Sequence, residues 1–399
     1  MNRDNLVHAV REQLKRLPAP HDSHYGVVPL PPPEEGVVVE PVLARLRTAD
    51  AALVRVETLA AELKDPYLIS RILPRREAVS SSAIEGTNST LDELLSGEES
   101  EDSQQGEAAV QVRDYALALD DFLPRAKKEK LEIFTSGLVQ ELHRAVMRGD
   151  AEYKDQPGDL RQIVVWIGGR GDIAYSTYNP TPPADIAPCL EDTMKYMRCE
   201  GMQAMYQSFI VRMAIAHAHF EAVHPFRDGN GRVGRLLLPL MMAAEGMMPI
   251  YLSPYIEAHK TAYYESLKAA QQRLEWFEAV GFMADAIVGT TGELLKTRDA
   301  LSALGNLWRE RRKFRQGSAS LRALDVLPHY PVLTVKRLAS LLEITVPAAS
   351  QAVEQLVENK ILTERTGYAR NRVFTAPDAL SIINRPFGED PILPGAGTG

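Results

Sequence analysis

The chain has 399 residues, with 45 Lys and Arg against 53 Asp and Glu and a formal net charge of −8. At about 150 residues per domain it holds two or three domains, and its acidic balance excludes a surface that is wholly a nucleic-acid-binding cation. Apolar content of 45% excludes global disorder, and two cysteines, Cys189 and Cys199, exclude a disulfide framework.

Residues 1–16 carry charges throughout and no apolar signal core. Residues 29–33 hold four prolines, which favour extended chain over the surface. Helical periodicity starts at Pro41, with Leu43, Leu46, Leu53, Val54, Leu59 and Leu63 on one face, and Pro66 ends it. Further helices are implied around Ile69–Leu73 and Leu91–Leu95. The acidic run 97–103 reads as a solvated connection. Helices resume over 107–123 and 134–147. Ile163 to Ile167 form a β-prone run, residues 168–172 read as a turn, and 173–178 are extended, so a β-hairpin is expected there. Helices return over 190–197, 206–222, 232–244, 259–274 and 277 to about 313. The apolar stretch 236–244 is shorter than the about 18 residues of a membrane span. A cytoplasmic protein without a membrane partner is expected. The end of the chain, from about Asn384, reads as a loose tail.

One segment is dense in reactive groups: His224-Pro225-Phe226-Arg227-Asp228-Gly229-Asn230-Gly231-Arg232-Val233-Gly234-Arg235. Amides of Gly229, Asn230 and Gly231 entering a helix would form an anion site at its N-terminus. Arg232 and Arg235 are three apart and can face one anion. Asp228 could hold Mg²⁺ beside a triphosphate, and His224 supplies a group that is basic near neutrality. Gly229-x-Gly231-x-x-Gly234 has the spacing of a dinucleotide fingerprint, but helix instead of strand precedes it. A zinc site from His217, His219 and His224 is disfavoured because positions two apart on a helix diverge. A purely structural turn is the remaining alternative.

At these residues the chain resembles the Fic family, whose signature His-x-Phe-x-Asp/Glu-Gly-Asn-Gly-Arg-x-x-Arg it matches at each specified position. The resemblance implies a protein adenylyltransferase that moves AMP from ATP to a Ser, Thr or Tyr hydroxyl of a target protein, self-modification included. It implies His224 as the base and Asp228 as the Mg²⁺ ligand. Gly229, Asn230, Gly231, Arg232, Val233, Gly234 and Arg235 would hold ATP, with Asn230 in the anion hole at the α-phosphate. Tyr263 and Tyr264 resemble the aromatic pair near adenine. The hairpin, with Ile173, Ala174 and Tyr175, resembles a flap that docks the target by strand addition. Upstream, Ser81, Glu85 and Gly86 resemble the family's inhibitory motif, with Gly86 a helix C-cap glycine. Glu85 would pair with Arg235, and a bias of about 3 kcal/mol would hold the active form below about one per cent.

Residues 321–327, 334–342 and 345–359 read as three helices, Thr345 capping the third, followed by two strands joined through Gly367. This resembles a winged helix-turn-helix domain. Residues 318–375 hold seven basic side chains, including Arg370, against five acidic ones, a net of only +2, and the third helix has no Lys or Arg. A protein-interaction role is favoured over DNA binding. The alternative function is a DNA-binding regulator with a nucleotide-sensing site. The expected architecture is mainly α: an N-terminal helical region with the inhibitory helix (1–103), a Fic-type helical core with a β-hairpin flap (104–302), a winged helix-turn-helix-like domain (303–380) and a flexible tail (381–399). A homodimer is expected.

Overall fold

The computed structural model describes residues 1–62, 67–68, 70–99, 106–202, 208–311, 314–365 and 372–394. It is mainly helical. The chain opens with α1 (His8–Glu12) and an antiparallel pair, β1 (Leu14–Arg16) and β2 (Tyr25–Val27). Then come α2 (Leu43–Glu57), α3 (Ile72–Ile84), α4 (Leu91–Glu99), α5 (Glu107–Glu129) and α6 (Ser136–Val146). A small hairpin, β3 (Ile167–Gly168) with β4 (Ser176–Tyr178), precedes α7 (Ile186–Met197), α8 (Phe209–Val223) and α9 (Asn230–Ala244). α10 (Ser253–Ala258), α11 (Lys260–Arg273) and the long α12 (Trp276–Arg311) complete the helical body.

The apolar sequence of α8 and α9 explains their place. Both are hydrophobic on nearly all sides and sit in the centre of the body. Ser208 caps α8 by accepting from the Val211 N–H. α3 and α5 pack beside α9, and α12 lies along α2, α8 and α11. One apolar core runs from α2 to the C-terminal elements.

Beyond α12 lie α13 (Ala319–Val326), β5 (Val332–Thr334), α14 (Val335–Leu342), α15 (Val346–Glu358), β6 (Thr363–Glu364), β7 (Val373–Thr375) and α16 (Pro377–Ile383). The antiparallel strands lie in the order β5-β7-β6. This segment thus combines short helices with a small three-stranded sheet. Thr345 stands at the N-cap of α15 without making a side-chain cap bond, although a proline does occupy the first turn.

Several expectations are corrected. The start of the acidic run is not a connection: residues 97–99 belong to α4, and Glu98 and Glu99 are ion-paired with Arg71, Arg75 and Arg337. The hairpin is far shorter than the β-prone run, because Ile173–Tyr175 turn as a 3₁₀ helix and Ile163 to Trp166 pair with no strand. The N-terminal segment contains the unforeseen β1–β2 pair, and Leu6, Val10 and Val27 pack with Tyr178 and Ala222. Arg385 is docked, not loose: its guanidinium reaches Glu293 (2.7 Å) and Thr297 (2.7 Å) of α12. The expected boundary at 302/303 falls inside α12. Leu63, Pro66, Ile69, residues 100–103, Tyr206, Lys313, Gly367 and Arg370 lie outside the described residues.

Candidate active site

The sharp turn between α8 and α9 builds the site. α8 stops at His224, whose left-handed backbone (φ 51°, ψ 63°) turns the chain while its N–H still bonds Phe220 O. Gly229, at φ 78°, starts α9. Between them, the Asn230 side chain grips the loop from both sides: Oδ1 accepts from Phe226 N (2.8 Å) and Nδ2 donates to Phe226 O (2.9 Å). The Asn230 side-chain amide is therefore taken up by the loop itself. What remains for an anion is the row of first-turn N–H groups that a helix leaves without internal partners.

Two residues from distant parts of the chain fix this loop. His143 on α6 stacks on Phe226 at 3.8 Å between centroids. Its Nδ1 accepts from Gly158 N (2.8 Å), so Nε2–H donates to Asp228 O (3.0 Å). Burial lowers its pKa to about 4, which keeps that single tautomer at neutral pH. Arg161 is 2% exposed and its guanidinium donates to the carbonyls of His224 (2.8 Å), Ile163 (2.9 Å) and Thr181 (2.6 Å). Burial lowers even this guanidinium, to about 10.

Above the first turn of α9 stands Glu85. Its Oε1 accepts from Arg235 Nη2 at 2.6 Å, and a Cβ added to Gly231 would collide with that same oxygen. Arg235 is 2% exposed and is held further by Ser81, through Oγ (2.9 Å) and the main-chain oxygen (2.9 Å). Burial alone would push the Glu85 carboxyl up, but Arg235 outweighs it and holds the group below its usual range. Glu85 is the C-cap of α3, and Gly86 follows at φ 93°, as expected of a helix end. Lys260 closes that end by donating to the carbonyls of Ala83 and Ile84, both at 3.2 Å. Arg232 is buried beside Met147 Sδ (3.0 Å), and its Nε and Nη1 have no partner.

His224 sits at the rim. Burial, with Arg161 behind it, lowers the ring to about 4, so the imidazole is neutral at pH 7. Asp228 is exposed, and its Oδ1 accepts from Gly229 N (2.6 Å). No cluster of three His, Cys, Asp or Glu able to hold a metal occurs among the described residues. A single carboxylate completed by phosphate and water oxygens is the donor set Mg²⁺ takes, so Asp228 fits.

Other expected site residues are not brought to the cradle. Val233 is fully buried, and Gly234 packs under Glu221 of α8, where a Cβ would strike Glu221 Oε1. Tyr263 is 3% exposed, with its hydroxyl 2.8 Å from His217 Nε2, so core packing takes the ring expected near a base. Tyr264 stays open to solvent beside it. In the hairpin Ile173 is a buried anchor, whereas Ala174 and Tyr175 are exposed on a turn that offers no strand edge. His219 bonds Thr193 (2.8 Å) and Leu30 O (3.1 Å), which removes it from any zinc set.

Two stretches of the chain match known family models. Residues 43–121 match the family model described as Fic/DOC family N-terminal, and residues 133–242 match Fic/DOC family. The chain carries both Fic/DOC regions. The first spans Ser81 to Gly86, and the second spans the turn from His224 to Arg235. The protein adenylyltransferase fic-1 of Caenorhabditis briggsae is 36% identical over 143 residues, 36% of this chain and 25% of that protein. The protein adenylyltransferase Fic of Drosophila erecta is 27% identical over 195 residues, 48% of this chain and 36% of that protein. The chain thus spans a quarter to about a third of these curated relatives' length. A Fic family protein from Desulfovibrio desulfuricans G20 shares the fold, with a TM-score of 0.55 at 19% identity over 87% of this chain and 98% of that one.

Within the Fic/DOC regions, sequence reading passed over His143, Arg161 and Glu221, and it passed over Lys260 beyond them. His143 lies on the buried face of α6, and nothing local ties it or Arg161 to the loop. Glu221 had a signal: it lies three residues before His224 on the same helix. No helix among the described residues is long and apolar enough to cross a membrane.

Proposed function

We propose that this chain transfers AMP from ATP to a hydroxyl side chain of a target protein, and that Glu85 restrains the transfer by holding Arg235. The carrying observation is that a carboxylate, itself an anion, lies over Gly231 on the guanidinium of Arg235. A helix N-terminus with two buried arginines suits polyphosphate, and the unpartnered Nε and Nη1 of Arg232 await such a ligand.

In the uninhibited form, Arg232 and Arg235 face the β- and γ-phosphates, and the first-turn amides of α9 receive the charge that develops at the α-phosphate. His224 Nε2 takes the proton of the target hydroxyl as its oxygen attacks the α-phosphorus, and pyrophosphate leaves. Mg²⁺ held by Asp228 would neutralise phosphate charge. The hairpin aligns the target, through Ser176–Tyr178 and its exposed neighbour Tyr175. The C-terminal module selects a protein partner, since α15 carries no Lys or Arg. The two thiols are free, and so few cysteines suit a reducing cytoplasm; burial pushes both thiols up, Cys189 to about 12.

The test is mass spectrometry of the Glu85→Gly protein after incubation with ATP and Mg²⁺. A gain of one AMP, abolished by adding His224→Ala, is expected. No incorporation above the unmodified chain by Glu85→Gly would sink the inhibitory assignment.

A further inference from the structure

The Glu221 carboxylate lies behind the imidazole, one oxygen toward the ring and the other toward Gly234. His224 Nδ1 makes no hydrogen bond, and Glu221 Oε1 makes none either. The other carboxylate oxygen of Glu221, Oε2, lies 4.0 Å from Nδ1. The carboxyl is 7% exposed, seated between α8 and α9. α9 admits it only because residue 234 is glycine, since a Cβ there would overlap Oε1. Unpartnered buried polar atoms are rare because each carries a desolvation cost. An apolar side chain would fill this place at lower cost if packing were its purpose.

We propose that Glu221 is the positioning residue of His224: its carboxylate, one helical turn before the ring, holds the Nδ1–H tautomer and faces the charge that the imidazole gains. The inference rests on the AMP-transfer reading above. A base works when a third group orients it. With the proton on Nδ1, the Nε2 lone pair points outward to the target. The hydroxyl proton passes to Nε2, the oxygen's electron pair forms the bond to the α-phosphorus, and the bond to the bridging oxygen breaks with its electrons leaving on pyrophosphate. Nδ1 keeps its proton, and the imidazolium stands beside Glu221.

The groups around the pair are consistent with this. Arg235 of α9 favours ionised Glu221, and Glu85 of α3 opposes it. Tyr263 and Tyr264 of α11 feel the same carboxylate. Around His224, Arg161 disfavours the imidazolium, whereas Glu85, Asp228 and the Glu221 main-chain carbonyl favour it. Burial raises the Glu221 carboxyl to about 7. An ionised group kept there costs stability, as a group retained for chemistry does.

The test uses Glu221→Gln, which keeps the volume over Gly234 and removes the charge, in the full chain carrying Glu85→Gly. The expected result is a kcat lower by about 10- to 100-fold, a KM for ATP changed less than about twofold, and a Tm at pH 8 no lower than the parent's. An unchanged kcat overturns the proposal. So does a loss carried by KM, or one that accompanies a fall in Tm. In parallel, ¹⁵N NMR of the His224 ring without ATP reads the tautomer directly. A shift from Nδ1–H toward Nε2–H in Glu221→Gln supports the pairing, and identical populations overturn it. Should Glu85→Gly incorporate no AMP at all, the functional reading falls while the NMR readout still decides the pairing.

Discussion

Gly231 and Gly234 sit three apart on one helix and admit two different carboxylates, Glu85 on one side and Glu221 on the other. A methyl group on Gly231 would overlap Glu85 Oε1 and lie 2.8 Å from Arg235 Nη1. That methyl would occupy the place where an anion meets Arg235, so Gly231→Ala is expected to weaken ATP binding by about tenfold or more, read by calorimetric titration with ATP and Mg²⁺ in the Glu85→Gly background. The two carboxylates titrate with opposite signs. Glu85 is held below its usual range, so its pairing is present at neutral pH and fails as pH falls through that lowered value. Glu221 is raised from 4.5 to about 7, so ionising it costs stability as pH climbs between those values. The cost at pH 8 is at most about 3 kcal/mol. Urea unfolding should show Glu221→Gln gaining stability over the parent at pH 8 and none at pH 4; an equal gain at both would contradict the raised value.

The helix that carries Glu85 is built into the body. α3 buries Arg75, Glu77, Ser80, Ser81 and Ser82 within the body, and Glu77 bonds Ser253 through N (2.9 Å) and Oγ (2.6 Å). Withdrawing all of it would unpair buried charge. Only its last turn, where Glu85 is a third exposed and Gly86 ends the helix, can loosen cheaply. Lys260 fixes that turn. Lys260→Met removes a cation at a helix C-terminus, a change of about 0.3–1 kcal/mol. Basal AMP incorporation should rise about two- to fivefold; unchanged incorporation would show that the turn does not gate Arg235. This scale also explains what sequence could reveal. The turn from His224 to Arg235 was legible because its glycines, arginines and histidine meet one local requirement. His143, Arg161 and Lys260 were not, because their partners lie far along the chain and no periodicity encodes them. Residues 163–166 differ for the opposite reason: strand propensity is real there, but Arg161 pulls Ile163 O into the loop instead of a ladder, and only Ile167 pairs.

Across the whole molecule, the segment after α3 is bound at both ends. α4 follows Glu85 by a few residues, and its Glu98 meets Arg75 of α3 at 3.0 Å. Its Glu99 meets Arg337 of α14 at 3.0 Å, and its Asp92 meets Arg365 beside β6. Glu99 is 3% exposed at its side chain, so Arg337→Ala leaves a buried carboxylate poorly compensated. That substitution should lower Tm by a few degrees and raise basal AMP incorporation, with the added Glu85→Gly erasing the difference in incorporation. A drop in Tm with no change in incorporation would confine Arg337 to holding the fold. The clamp has a thermodynamic corollary. If a protein docking on the C-terminal module and ATP both prefer α4 released, each must raise the affinity for the other by the same factor. The module and the nucleotide cradle would then be two readers of one equilibrium, so partner binding measured with and without ATP would report on Glu85 without any transfer taking place.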